Sequence, residues 1–206
     1  MSTTPWLPVE WQPPHRVALD TGHHLRPIRA DDVDLDMLAV MGSQERLWSV
    51  YGKAWGWPPA TMTAEQDRED LAHHEDEMVR RASYNYALFD TGETELLGCV
   101  YIDPPDKAGA DAEISWWVVD WHVGGPVAAA LDRFVPVWIA ESWPFQRPRY
   151  VGIDLSWDDW LALPEAGLPD VVPVQTGTTH GELARTNPAH DDTHQRTSTS
   201  VTGDNT

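Results

Sequence analysis

The sequence has a single cysteine among its 206 residues and lacks both long apolar stretches and clusters of basic residues. One cysteine, Cys99, excludes an intrachain disulfide and is typical of a protein kept in a reducing compartment. No stretch approaches the ~18 consecutive apolar residues of a membrane-spanning helix. The N-terminus lacks a basic segment followed by an apolar one, so we expect no signal peptide. These absences predict a cytoplasmic protein with no membrane partner.

Positive charge is also scarce. The sequence has only 14 lysines and arginines but 33 acidic residues, which gives a net charge of -19. Proteins that bind nucleic acids neutralise phosphates with clustered Lys and Arg, so we expect no nucleic-acid partner. The acidity has two interpretations: it keeps the protein soluble, or it favours cationic substrates. The sequence alone favours the first, because net charge acts on solubility before anything else.

Composition divides the chain into three parts. Residues 1–14 hold four of the seventeen prolines together with Trp6 and Trp11, which predicts an irregular N-terminal arm. Residues 15–175 carry the apolar periodicity of strands and helices, which predicts one folded domain. Residues 176–206 are mostly Thr, Ser, Asp, Asn and His. Burial cannot offset the entropy of ordering such a segment, so we expect a disordered tail.

Within the domain, the predicted elements follow the order strand, helix, helix, strand, strand, strand, helix, strand, helix. Thr63 and Gln66 form a capping-box pattern that predicts a helix over residues 64–81. Gly124-Gly125-Pro126 predicts the start of a later helix, because proline is favoured at the first helical position. Pro136 inside that helix predicts a kink or a break.

Three segments carry a family resemblance. They are His24-Leu-Arg-Pro-Ile-Arg29 with Asp31-Asp32 behind it, the hairpin ending in Leu97-Gly-Cys-Val-Tyr-Ile102, and Ala112-Glu-Ile-Ser-Trp-Trp-Val118 with a Gly-containing loop and helix after it. Together with the element order, they resemble the GNAT family of acyl-CoA-dependent N-acetyltransferases. The resemblance implies an α/β (α+β) fold, a mixed and mostly antiparallel twisted sheet flanked by helices. It also implies that acetyl-CoA, as co-substrate, acetylates a primary amine of a small molecule or peptide.

The resemblance also implies roles for particular residues. The backbone of Val118 and Val119 would hydrogen-bond the pantetheine arm of acetyl-CoA. Glu113, on the same strand, matches the position of the general base that takes a proton from the attacking amine. The helix start after the strand would hold the pyrophosphate, because its free N–H groups favour anions. The loop, this helix start and the end of the fifth strand complete the implied cofactor-binding set: Gly124, Gly125, Val127, Ala128 and Asp154.

The phosphate loop departs from the family pattern, which reads Arg/Gln-x-x-Gly-x-Gly/Ala. The aligned residues are Val123-Gly-Gly-Pro-Val-Ala128, of which only Ala128 fits. Pro126 has no N–H to donate. The family's frequent general-acid tyrosine is also missing, since Trp157 and Trp160 occupy that stretch. These departures support an alternative function, in which a catalytically inactive GNAT-like fold senses a ligand or binds a protein.

An aromatic group lies in residues 42–59, where glycines and prolines predict a loop with at most a turn of helix. GNAT-like proteins build the acceptor pocket there, so the resemblance implies that these rings bind a cationic amine through cation–π contacts. The alternative is that the rings anchor the loop to the core. The group consists of Trp48, Tyr51, Trp55 and Trp57.

Histidines and acids cluster at His73-His74-Glu75-Asp76. Adjacent helical residues point in different directions, and no cysteine or suitably spaced histidine completes a ligand set. We therefore expect a solvated helix face and no metal site. The sequence leaves the oligomeric state and the identity of the acceptor open.

Overall fold

The structure is a computed structural model that describes residues 6–167. Six strands form one sheet in chain order: β1 Val17–Ala18, β2 His24–Pro27, β3 Tyr84–Phe89, β4 Leu96–Asp103, β5 Ala112–Val118 and β6 Pro148–Tyr150. Neighbouring strands are antiparallel except β5 and β6, which run parallel. The helices are α1 Val33–Gly42, α2 Gln44–Trp55, α3 Ala64–Arg80, α4 Pro126–Ser142 and α5 Trp157–Leu161. This confirms the predicted mixed, mostly antiparallel sheet flanked by helices.

The sheet is apolar on both faces, and helices cover each face. Because side chains alternate along a strand, β4 sends Val100 and Ile102 to one face and Cys99 to the other. The first face packs against α4, and the second packs against α1, α2 and α3. Polar side chains lie at one end of the second face, and that end carries the candidate site. No helix within residues 6–167 is both long and apolar enough to cross a membrane.

Two helices start where the sequence predicts them to start. Thr63 Oγ1 accepts a hydrogen bond from the Gln66 N–H (3.3 Å), and Gln66 Oε1 accepts one from the Thr63 N–H (3.0 Å). This capping box opens α3 at the predicted residue. Helix α4 begins at Pro126, also as predicted, and it continues without a break through Pro136, where the sequence predicts a kink or a break. Burial of side chains such as Leu131 and Val135 on the sheet outweighs the one hydrogen bond that proline removes.

The loop predicted for residues 42–59 is wrong over most of its length, because α2 occupies Gln44–Trp55. Leu47 and Tyr51 lie on one face of α2 and are 0% and 1% exposed, so packing overrides the weak helix propensity of Gly52. A Cβ at Gly52 would stand 2.7 Å from Trp48 Cδ2, so the tryptophan ring needs glycine there. The helix ends at Gly56, whose φ of 66° is left-handed.

The described part of the N-terminal arm, residues 6–14, contains no helix or strand and packs against the domain. The Trp6 indole N–H donates to the Asp111 carbonyl (2.8 Å), and the Trp11 indole N–H donates to the Ser142 carbonyl (3.0 Å). Leu7 between them is 3% exposed. The arm thus extends the core on the α4 face. The tail predicted to be disordered, residues 176–206, lies outside the described residues.

Candidate active site

A gap opens in the sheet between β5 and β6. The two strands pair only from Ala112 to Ile114, and one further bond joins the Val151 N–H to the Ile114 carbonyl (2.9 Å). On its other edge, β5 stays bonded to β4 as far as the Val119 N–H, which donates to the Leu97 carbonyl (2.9 Å). Backbone groups alternate between the two edges of a strand, so those of Val118 face the gap.

Arg46, on α2, reaches into this gap. Its Nη2 donates to the Val118 carbonyl, and its Nε pairs with Asp120 Oδ1 at 2.6 Å. The Asp120 N–H in turn donates to Ser43 Oγ (3.0 Å). Arg46 therefore holds the carbonyl that the sequence assigns to the pantetheine arm. Sequence reasoning missed this residue because it lies 72 positions from Val118 and belongs to no local motif.

The loop after β5 uses some of its own N–H groups before α4 begins. The Val123 N–H donates to the Asp120 carbonyl (3.2 Å), and the Gly125 N–H donates to the His122 carbonyl (3.0 Å). Gly124 has a φ of 70° with open space at its Cβ position. No side chain caps α4, whose first turn contains Val127 and Ala128. The first N–H groups of a helix have no acceptor within it, so this end retains the capacity to bind an anion.

Asp154 lies on a different segment from these residues. It follows β6 in an exposed turn, where its N–H donates to the Tyr150 carbonyl (3.0 Å). It does not line the cavity described next.

A cavity of about 470 Å³ meets the gap at Ile114, Ser115 and Val151. One wall is aromatic and includes Trp55 and Trp57, two of the four rings that the sequence singles out. This aromatic wall is formed by Trp55, Trp57, Tyr101, Trp157 and Trp160.

The other two predicted rings lie elsewhere. Tyr51 is 1% exposed and stacks behind Trp55, with ring centroids 4.9 Å apart. Trp48 is 46% exposed and covers Gly52 instead of lining the cavity. Two of the four rings therefore face the cavity, whereas Tyr51 packs into the core.

Another part of the cavity lining is acidic. Asp70 and Glu77 come from α3, and the remaining carboxylates come from the ends of β4 and β5 and the loop between them. This acidic wall is formed by Asp70, Glu77, Asp103, Asp106 and Glu113.

The predicted general base, Glu113, lies in this acidic wall and is 7% exposed. Its Oε1 accepts a hydrogen bond from Arg149 Nη1 at 2.7 Å, within an ion pair. Its Oε2 accepts one from the Asp106 N–H at 3.2 Å. Both oxygens of Glu113 therefore already have partners.

Asp103 stands directly opposite Glu113 in the register of β4 and β5. It is half-buried, accepts a hydrogen bond from Ser83 Oγ, and faces His74, Glu77 and Asp106. Burial raises the pKa of Asp103 from its ordinary value of 3.8 to about 6. The sequence contains a signal that identifies Asp103. Side chains alternate between the two faces of a strand, so Asp103 lies on the same face as Cys99 and Tyr101, and Glu113 lies on that face too.

The histidines belong to the same wall. His74 Nδ1 lies 3.1 Å from Glu77 Oε2 and 3.0 Å from Asn85 Nδ2, and its Nε2 lies 3.8 Å from Asp70. The face of α3 predicted to be solvated is thus partly a cavity wall. Among residues 6–167, no group of three or more His, Cys, Asp or Glu side chains is arranged to hold a metal ion.

Known proteins share this architecture. An acetyltransferase (GNAT) domain model matches residues 24–151, more than half of the chain. A probable acetyltransferase of solved structure aligns with a TM-score of 0.52 at 17% identity, covering 66% of this chain and 72% of its own. No curated protein matches the sequence.

Two further solved structures align less closely. Ribosomal-protein-S5-alanine acetyltransferase from Vibrio fischeri has a TM-score of 0.43 at 14% identity, covering 58% of this chain and 64% of its own. RimL, a ribosomal L7/L12 α-N-protein acetyltransferase, has a TM-score of 0.45 at 18% identity, covering 61% and 65%. The chain thus spans less than two thirds of either protein. On the match of the domain model and the agreement of the fold, the chain belongs to the GNAT acetyltransferase family.

Proposed function

We propose that this protein transfers an acetyl group from acetyl-CoA to a primary amine. The observation that carries the proposal is that the gap beside Val118 and the acidic, aromatic-walled cavity meet at Ser115. A thioester lying along the gap and an amine lying in the cavity would therefore reach the same point from two sides. Such positioning alone lowers the barrier to a reaction between two molecules.

The residues around the gap suit acetyl-CoA. The backbone of Val118 offers groups for the pantetheine arm once Arg46 releases the Val118 carbonyl. The second predicted residue, Val119, already uses both of its backbone groups, because its N–H donates to the Leu97 carbonyl and its carbonyl accepts from the His122 N–H. The uncapped start of α4, with Gly124, Gly125, Val127 and Ala128, would hold the pyrophosphate. Val123 supplies no positive charge to the pyrophosphate, so we assign the role of providing that charge to Arg46.

Acetyl-CoA supplies an activated acyl group as a thioester. The amine nitrogen forms a bond to the acyl carbon, the carbon–sulfur bond breaks, and CoA leaves as a thiol after taking up a proton. The nitrogen must also lose a proton, and a carboxylate beside Ser115 would accept it. Glu113 remains our predicted base, and Asp103 is the second candidate, because its pKa of about 6 suits proton transfer near neutral pH.

A second candidate function is a catalytically inactive GNAT-like fold that senses a ligand or binds a protein. Two observations favour it. Arg46 holds the Val118 carbonyl, and Pro126 offers no N–H at the start of α4. The cavity itself is compatible with either function.

Calorimetric titration with acetyl-CoA, using CoA and ADP as controls, tests the proposal. We expect saturable binding of acetyl-CoA and CoA in the micromolar range, about -8 kcal/mol, and much weaker binding of ADP. Absence of heat and of thermal stabilisation at millimolar acetyl-CoA would leave only the inactive fold.

Steady-state rates of two variants then identify the base. If Glu113 is the base, Glu113→Gln lowers kcat by about a hundredfold without changing acetyl-CoA affinity, whereas Asp103→Asn has a smaller effect. The reverse pattern would move the role to Asp103. The affinity measurement in each variant separates loss of catalysis from loss of binding.

A further inference from the structure

A second cavity lies between the N-terminal arm, the end of β2 and the C-terminal half of α3. Its volume is about 380 Å³, and it shares no lining residue with the first cavity. Cavities of about 300–1,000 Å³ are typical of sites that bind small molecules. Acetyl transfer gives this second cavity no role, so its lining points to a separate ligand.

Part of the lining of the second cavity is apolar. Ile28 is 3% exposed, and the half-buried Met78 packs against the core. Val79, the next residue of α3, also lines the cavity but is 81% exposed. A single exposed valine is ordinary on a protein surface, but here it belongs to a cavity that other apolar side chains line as well. An aliphatic chain in this cavity would be partly removed from water.

The polar part of the lining carries an excess of positive charge. It contains two arginines, Arg29 and Arg81, and a single acid, Glu75, with histidine counted as neutral. Within residues 6–167, neither arginine lies within 4.0 Å of a carboxylate, the limit for an ion pair. One Glu75 oxygen already accepts a hydrogen bond from the Ala30 N–H (2.9 Å). In a chain with 33 acids and 14 bases, two arginines without ion pairs in one cavity favour a ligand with a negative charge.

Arg81 is fixed in the lining by its contacts with the arm. It ends α3 with a φ of 61°, in the left-handed region where glycine is favoured. Its Nη1 donates to the Val9 carbonyl (3.2 Å), and its Nη2 donates to the Pro8 carbonyl (2.6 Å). A guanidinium has more N–H donors than these two bonds use, so others remain for a ligand. Arg81 therefore offers a donor group whose position the protein has already set.

We infer that the second cavity binds a small amphipathic carboxylate, such as a fatty acid of medium length, with its carboxylate on the two arginines and its aliphatic chain against the apolar lining. A planar guanidinium matches the two oxygens of a carboxylate. A carboxylate carries one negative charge, as the lining requires, whereas a phosphate monoester brings nearly two. The inference does not depend on the proposed function, because the two cavities have no residue in common.

Calorimetric titration of the full-length protein with octanoate, butanoate and 1-octanol tests this inference. We expect octanoate to bind about fifteenfold more tightly than butanoate, because its four additional methylenes are partly removed from water. We expect 1-octanol, which has no charge, to bind at least about tenfold more weakly than octanoate. Equal affinities for octanoate and 1-octanol, or no saturable binding of octanoate at millimolar concentration, would overturn the inference. Octyl phosphate that binds tenfold more tightly than octanoate would also overturn it.

An arginine variant and a matched control locate the carboxylate. Arg29→Gln should weaken octanoate binding roughly tenfold without changing the melting temperature, because Arg29 is exposed and makes no ion pair within residues 6–167. Arg133, on α4, is also exposed and without an ion pair in that range, but it lines neither cavity. Arg133→Gln should therefore leave octanoate binding unchanged. Equal losses in the two variants would show that octanoate responds only to the net charge of the protein.

Val79 allows a second test of position, because an 81% exposed side chain can be replaced by a charged one without unfolding the protein. Val79→Glu and Val79→Lys lose the same apolar contact and differ in the sign of the charge that they place beside the ligand. Octanoate should bind about fivefold more weakly to Val79→Glu than to Val79→Lys. Equal affinities for the two variants would place octanoate elsewhere and refute the site.

Discussion

Replacing Asp67 by asparagine is expected to stabilise the protein at neutral pH but not in mild acid. Asp67 on α3 and Asp36 on α1 are 1% and 4% exposed, and their carboxyl groups are hydrogen-bonded to each other. Asp67 Oδ2 has no hydrogen-bond partner within residues 6–167. Two carboxylates in such a site cannot both be charged without a large penalty. An asparagine keeps the shape and supplies an N–H in place of the shared proton.

The size of the effect follows from the pKa. Burial raises the pKa of Asp67 from its ordinary value of 3.8 to about 6, and the pKa of Asp36 is also raised, chiefly by burial and then by Asp67. The folded state therefore binds the proton more tightly than the unfolded state. The stability that Asp67 contributes is fully present below pH 3.8, falls as pH rises, and is lost above about 6. The difference between a pKa of 3.8 and one of about 6 corresponds to ~3 kcal/mol.

Urea denaturation of the variant and the wild type, at about pH 4 and about pH 7.5, measures this difference. Subtracting the two proteins at each pH cancels groups that titrate the other way, such as Glu93, whose pKa is lowered to about 2 by Arg26. The free energy of unfolding of Asp67→Asn relative to wild type should rise by ~3 kcal/mol between the two pH values. Glu69→Gln, an exposed control on α3, should show no such rise. A difference that is independent of pH, or a variant less stable than wild type at neutral pH, would refute the reasoning.

Three further predictions concern charged groups. Arg26→Ala leaves the buried Asp32 without the two hydrogen bonds that its guanidinium donates (both 2.7 Å), so unfolding in urea should be easier by ~3–5 kcal/mol; a loss below ~1 kcal/mol would contradict this. Arg46→Ala should weaken acetyl-CoA binding by about tenfold in calorimetry, because Asp120 is left unpaired at the gap, and adding Asp120→Asn should restore part of the affinity. If Asp103 is the base instead of Glu113, the kcat/KM for an amine should rise with pH through about 6 as Asp103 loses its proton, and Asp103→Asn should remove that rise in a pH–rate profile.

The candidate site was predictable only where one local segment contains its residues. Glu113 and Val118 lie on a strand that its apolar pattern and the family resemblance identify, and the structure places both beside the gap or the cavity. Asp103 was identifiable from strand alternation once β4 was paired with β5. Arg46 was not, since its helix was interpreted as a loop on the basis of Gly52 and neighbouring glycines and prolines. Helix propensity is a weak guide when two buried side chains on the same face determine the outcome.

The sequence by itself determined the fold class, the start of α3 at the Thr63 cap, the start of α4 at Pro126 and the strand over Ala112–Val118. These follow from short-range physics: capping, proline geometry and period-two alternation act within a few residues. Only the tertiary structure decided that Arg46 meets Val118 and that Arg149 meets Glu113, residues 72 and 36 positions apart. It also brought carboxylates of α3, β4 and β5 around one cavity. Such contacts depend on sheet register and on the point where β6 leaves β5, which no local pattern of the chain encodes.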